Sequence, residues 1–93
     1  MKVLFQSEKV PGYGQKIYIP AKAVKGEANL HRRAILNGMS MWAEPTKAGP
    51  FYGVEYLSWE LQEVWTEEKL SAKLRDVFNE MLLVVTDLHL LED

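Results

Sequence analysis

The stretch EKLSAKLRDVFNEMLLVVTDLHLLED, at positions 68–93, constrains this chain more than any other, because Leu70, Leu74, Val77, Met81, Val84, Leu88 and Leu91 recur at alternating steps of four and three. Residues spaced in this way line one side of an α-helix. Thr66 is a suitable N-cap, and Glu67 and Glu68 suit the positive end of the helix dipole. Neither glycine nor proline interrupts the run, so the pattern predicts one helix from about residue 67 to 91. At ~1.5 Å per residue this rod is on the order of 37 Å long, whereas a 93-residue domain is only ~26 Å across. An apolar side that overhangs its own domain needs a cover, and a twin copy is the economical one, which gives an expected homodimer through the C-terminal helix. A competing reading breaks the helix near Asn79 and makes LLVVTDLHLL a closing strand, on the β-branched pair Val84 and Val85 and the alternation of Leu88 and Leu90 around His89.

Upstream, Val3, Leu4 and Phe5 open a first strand, and KVPGYGQ is a turn cluster. KIYIP reads as a second strand with Ile17 and Ile19 on one face and Lys16 and Tyr18 on the other. A helix is expected from about Ala23 to Asn37, stopped by Gly38, with a start only at Glu27 as the alternative because Gly26 lies inside the span. MSMWAE suits a short strand and EPTKAGP a loop. FYGVEYLSWELQEVW fits two periods: Leu57, Trp59 and Leu61 alternate against Ser58, Glu60 and Gln62 as in a strand, and Val54, Leu57, Leu61, Val64 and Trp65 line one face of a helix; aromatic and β-branched content favours a strand to about residue 62. The expected class is therefore α+β: one domain over residues 1–93, a small antiparallel sheet, a middle helix and a long amphipathic C-terminal helix.

Charge divides unevenly. Residues 1–50 carry eight basic against three acidic side chains and residues 51–93 carry three against ten, beneath a net charge of only −2. Asymmetry of this kind points to a charged partner or to attraction between the two halves. A hydrophobic fraction of 47% excludes a disordered chain, and no window resembles a membrane span or a signal h-region. The absence of cysteine removes disulfides and thiolate chemistry and suits a reducing cytoplasm, the expected location.

Little in the sequence supports catalysis. His31 and His89 belong to no zinc spacing, and no phosphate-binding glycine loop or nucleophile elbow occurs. Acidic pairs such as Glu60 and Glu63, or Glu67 and Glu68, read as a solvated face. No enzyme activity, cofactor or metal site is expected. Function then falls to binding another protein, as a regulatory, adaptor or inhibitory module. The candidate contact set is Tyr52, Tyr56, Trp59 and Trp65 among the aromatics, Glu60, Glu63 and Glu67 among the acids, and Val84, Leu88 and Leu91 from the terminal helix.

The alternative is nucleic-acid binding through the basic half, by Lys16, Tyr18, Lys22, Lys25, Arg32 and Arg33. With the closing segment read as a strand, the order becomes β(16–19) α(27–37) β(39–43) β(51–57) α(66–79) β(82–90), which resembles the ferredoxin-like βαββαβ arrangement of RNA-recognition motifs. KIYIP sits where such modules carry their first aromatic strand motif, and GPFYGVEY resembles the second. Gly53 stands where that second motif has an aromatic, and Tyr52 where it has a small residue.

Overall fold

The structure, a computed structural model, describes residues 2–6, 15–24, 27–42, 44–80 and 87–90. Five strands and two α-helices follow in the order β1 (Lys2–Phe5), β2 (Lys16–Pro20), α1 (Glu27–Leu36), β3 (Thr46–Phe51), β4 (Val54–Glu60), α2 (Glu67–Glu80) and β5 (Asp87–Leu90), with a turn of 3-10 helix at Ala21–Ala23. The strands form one sheet in the order β3-β4-β2-β1-β5. All neighbours are antiparallel except β1 and β5, which run parallel with Val3 opposite Leu88 and Leu4 opposite His89. Without β1, the remaining elements keep the split βαβ order, and β1 occupies the place between the first and last strands of that unit.

The α+β class is as the sequence predicts, but the continuous terminal helix is not. Helix α2 is described over Glu67–Glu80, and residues 87–90 are not helical but form a strand paired with β1. Its 14 residues span about 21 Å at ~1.5 Å each, within molecular extents of 33 × 31 × 24 Å, so nothing in the described helix overhangs. Leu70, Leu74, Val77 and Phe78 are buried against the sheet, and Leu88 packs against the same core. The described part of the stripe is therefore consumed within one chain, and the twin-copy cover loses its basis there; Met81, Val84 and Leu91 lie outside the described residues. Because β5 joins β1 in parallel, the sheet is mixed rather than purely antiparallel.

Helix ends follow local chemistry. Thr66 Oγ1 accepts from the Lys69 N–H at 3.3 Å, as an N-cap should. Gly38 adopts φ +82°, the Gly38 N–H reaches the Ile35 carbonyl and the Met39 N–H reaches the Ala34 carbonyl at 2.8 Å, closing α1 in a Schellman motif with buried Met39 against buried Ala34.

Both predicted loops and strands near the middle shift. EPTKAGP contributes most of β3, an edge strand in which Pro50 falls within the register shift between Ala48 and Phe51, where a proline is tolerated. MSMWAE supplies only a bridge, Met41 to Leu61, flanked by hydrogen bonds from Trp42 N–H to the Glu60 carbonyl and from Gln62 N–H to the Ser40 carbonyl. One strand expected across FYGVEYLSWELQ is instead the end of β3, a two-residue turn at Tyr52 and Gly53, and β4.

Candidate functional site: the hairpin side of the sheet

Strand alternation gives the sheet two sides. Val3, Phe5, Ile17, Ile19, Trp59 and Leu61 point toward α1 and α2. Lys2, Leu4, Lys16, Tyr18, Tyr56, Ser58, Glu60 and His89 project from the other side by the same two-residue period. No described helix covers that second side; the β3–β4 hairpin bends over it instead.

The bend arises in the backbone. A register shift falls between Ala48 and Phe51, and Gly49 takes φ +92°, where a Cβ would lie 2.8 Å from the Phe51 nitrogen. Only glycine fits there. The turn then needs positive φ at both central residues, met by Tyr52 at +51° and Gly53 at +73°. Phe51 is thereby laid edge-on against Tyr18 and Tyr56, each at 5.6 Å between ring centroids, above buried Leu4. The Lys2 ammonium sits 3.6 Å from the centre of the Tyr52 ring, joining the hairpin tip to β1 two strands away. Burial raises the Tyr56 phenol pKa above its ordinary 10.0, and the nearby Tyr52 phenol raises it further.

Two large aromatics stay exposed on this side. Tyr52 is 68% exposed at the tip, and Trp42, which alternates away from buried Met41 and aligns with Glu60, is 58% exposed. Trp42 was not among the residues expected to make contact. Its signal lay in the alternation of MSMW, where Met39 and Met41 are buried and Trp42 must face the opposite way.

The predicted contact set is divided by burial. Tyr52, Glu60, Glu63 and Glu67 are exposed. Trp59 is fully buried and Tyr56 nearly so, and both are corrected to core residues; Trp65 is half-buried and packs on the core, as does Leu88. Aromatics of this size were simply the filling that a small interior required. Val84 and Leu91 fall outside the described residues. The basic set does not gather either: Lys16 lies on the hairpin side, Lys22 is exposed in the 3-10 turn, Arg32 and Arg33 are exposed on α1, and Lys25 lies outside the described residues. Tyr18 is buried beneath Phe51, so it offers no open ring face for base stacking.

Sequence reasoning also missed Gln15, placed in a turn cluster but 1% exposed. Its amide donates to the Trp65 carbonyl at 3.3 Å and accepts from the Trp65 N–H at 3.0 Å, while its own backbone carbonyl accepts from the Leu61 N–H at 2.7 Å. One side chain thus holds the connection between β4 and α2 as a neighbouring strand would.

Among the described residues no three histidine, aspartate or glutamate side chains gather as metal ligands, and no helix is long and apolar enough to cross a membrane. Compared with protein-family models, curated proteins and solved structures, the chain matches none.

Proposed function

We propose that this chain acts by binding another protein, as a regulatory, adaptor or inhibitory module, and that the partner meets the hairpin side of the sheet at Tyr52 and Trp42. The observation that carries this reading is Tyr52 itself. A bulky residue at φ +51° costs roughly 1–2 kcal/mol against glycine, and the turn would form more readily with asparagine or glycine. Strain of this kind at an exposed position is a mark of function. Tyrosine and tryptophan are the side chains that most often dominate interface energy, and Lys2 and Glu60 supply a polar surround. A reducing compartment, the cytoplasm, suits a chain without cysteine. No catalytic step enters the proposal.

The test uses substitutions that keep the fold. Tyr52→Asn fits the same backbone, and Trp42→Gln alters an exposed ring. Proteins captured from the native cell by the unaltered chain should be lost, by tenfold or more, on the doubly substituted chain, roughly the ~1.4 kcal/mol per decade expected of one hot spot. Equal capture by both chains would defeat the reading.

A second reading, nucleic-acid binding, draws on the strand at 87–90, which completes the split βαβ order, and on Lys2 and Lys16 sharing the hairpin side with Tyr52. Titration with labelled RNA at two salt concentrations separates the two, since phosphate binding weakens steeply with salt.

A further inference from the structure

We infer that the chain pairs with a second copy of itself through the outer face of α1 and the acidic bend that leads into α2. On α1, Leu30 and Ala34 face the core, and Arg32, Ile35 and Leu36 fall in a sector of roughly 100° on the opposite side. Arg32, Ile35 and Leu36 are all exposed, and the two apolar chains are each at least half exposed. Ahead of α2, Val64 is likewise more than half exposed between Glu63 and Glu67, which are both exposed. Each patch is an apolar centre beside charge of one sign, and the signs are opposite.

The two patches are not used on each other within one chain, since both remain exposed. They do lie at the same end of the sheet. Ser40 and Trp42, just after α1, are hydrogen-bonded to Gln62 and Glu60, just before the acidic bend. A twofold axis passing between the patches sets the basic face of each copy on the acidic bend of the other, which satisfies both at once and closes the assembly. Arg32 belongs to the basic half of the chain and Glu63 and Glu67 to the acidic half, so the contact joins opposite charges from the two halves. This surface is separate from Tyr52 and Trp42, and its failure would leave the partner-binding reading in place.

Sedimentation velocity on the whole chain provides the test, at ~50 mM and ~500 mM salt. The unaltered chain should run at twice its 10.7 kDa mass at low salt and dissociate as salt rises. Arg32→Glu should weaken pairing roughly tenfold or more, as should Leu36→Ser, with circular dichroism unchanged because both side chains are exposed. Mixing Arg32→Glu chains with Glu63→Lys, Glu67→Lys chains gives each hybrid pair two matched charge contacts, one native and one with its signs exchanged, whereas the Arg32→Glu chain alone has none. The mixture should therefore pair more tightly than Arg32→Glu by itself, and that gain identifies these two patches as the ones in contact. A single-chain mass at both salt concentrations, or pairing indifferent to Arg32→Glu and Leu36→Ser, overturns the inference.

Discussion

On the helix side of the sheet, fifteen described residues from the strands, the two helices and the segments between them form one buried apolar cluster that includes Trp59, whereas on the hairpin side the buried apolar cluster is only Leu4, Tyr18 and Tyr56, under Phe51 and Ala48. The first side is held by area: many apolar side chains leave water together, each contributing on the order of 1.5–3 kcal/mol. The second is held by backbone geometry. Its cover is a hairpin that bends only because Gly49, Tyr52 and Gly53 take positive φ. Substitutions on the two sides should accordingly fail in different ways, the first by cooperative unfolding and the second by release of a local cover.

The largest effect is expected at Trp59. Trp59→Ala removes the largest fully buried side chain and should destabilise the fold by about 3–5 kcal/mol, measured by urea unfolding. Trp59→Phe should lose far less, because the indole N–H it removes is buried with no hydrogen-bond partner. If phenylalanine proves as damaging as alanine, packing area is not what holds the helix side.

Next comes Gln15, which reaches from the start of β2 to the connection ahead of α2. Gln15→Ala leaves the Trp65 N–H and carbonyl without their partner, at a cost of about 2–3 kcal/mol. Gly49→Ala follows at about 1–2 kcal/mol, since a Cβ at φ +92° also meets the Phe51 backbone. The two differ in kind. The alanine at Gln15 should lower the midpoint of global unfolding, whereas the one at Gly49 should show chiefly as faster hydrogen exchange across β3, with core amides less affected.

This contrast explains what could be read from the sequence. Residues on the helix side announce themselves by period: Ile17 and Ile19, Trp59 and Leu61, Leu70, Leu74 and Val77 are all buried where their spacing places them. The sequence extends the helix through residues 87–90 because Met81, Val84 and Leu88 continue the helical period without a breaking residue, although Leu88 belongs to a strand paired with β1. That pairing joins residues more than eighty positions apart, and no local pattern encodes it. On the hairpin side the deciding quantities are dihedral angles at three positions, and a tyrosine in a left-handed conformation contradicts the residue preference that turn prediction relies on. Tyr56 and Trp59, read as contact residues for their type, are interior because type alone does not tell hot spot from core.

Alkaline pH offers a gentler probe of the same cover. Burial and the neighbouring Tyr52 raise the Tyr56 pKa above 10.0, so the fold prefers the neutral phenol. That preference contributes stability in full below the unfolded value and loses it as pH rises through the folded one. Tyr56→Phe cannot ionise, and its unfolding free energy should fall less steeply than that of the unaltered chain between pH ~9 and ~11. Parallel slopes would mean that the phenol is open to water and that the hairpin does not seal this side.

The smallest effect on stability belongs to the residue on which the functional reading depends. Tyr52→Asn relieves left-handed strain worth roughly 1–2 kcal/mol and forfeits the contact of Lys2 with the ring, worth roughly 0.5–1 kcal/mol. The two nearly cancel, so urea unfolding should move by less than ~1 kcal/mol in either direction, with a slight gain favoured. Lys2→Met isolates one of these opposing effects, since it removes the cation and leaves the strained turn, and should destabilise by no more than about 0.5–1 kcal/mol. A loss well above that range for Tyr52→Asn would mean that the ring is a structural clamp holding the hairpin down, and its exposure would then need no partner to explain it. A neutral or stabilising result leaves a tyrosine that the fold does not require, held at a conformation that tyrosine itself does not prefer, as the proposed partner contact would explain.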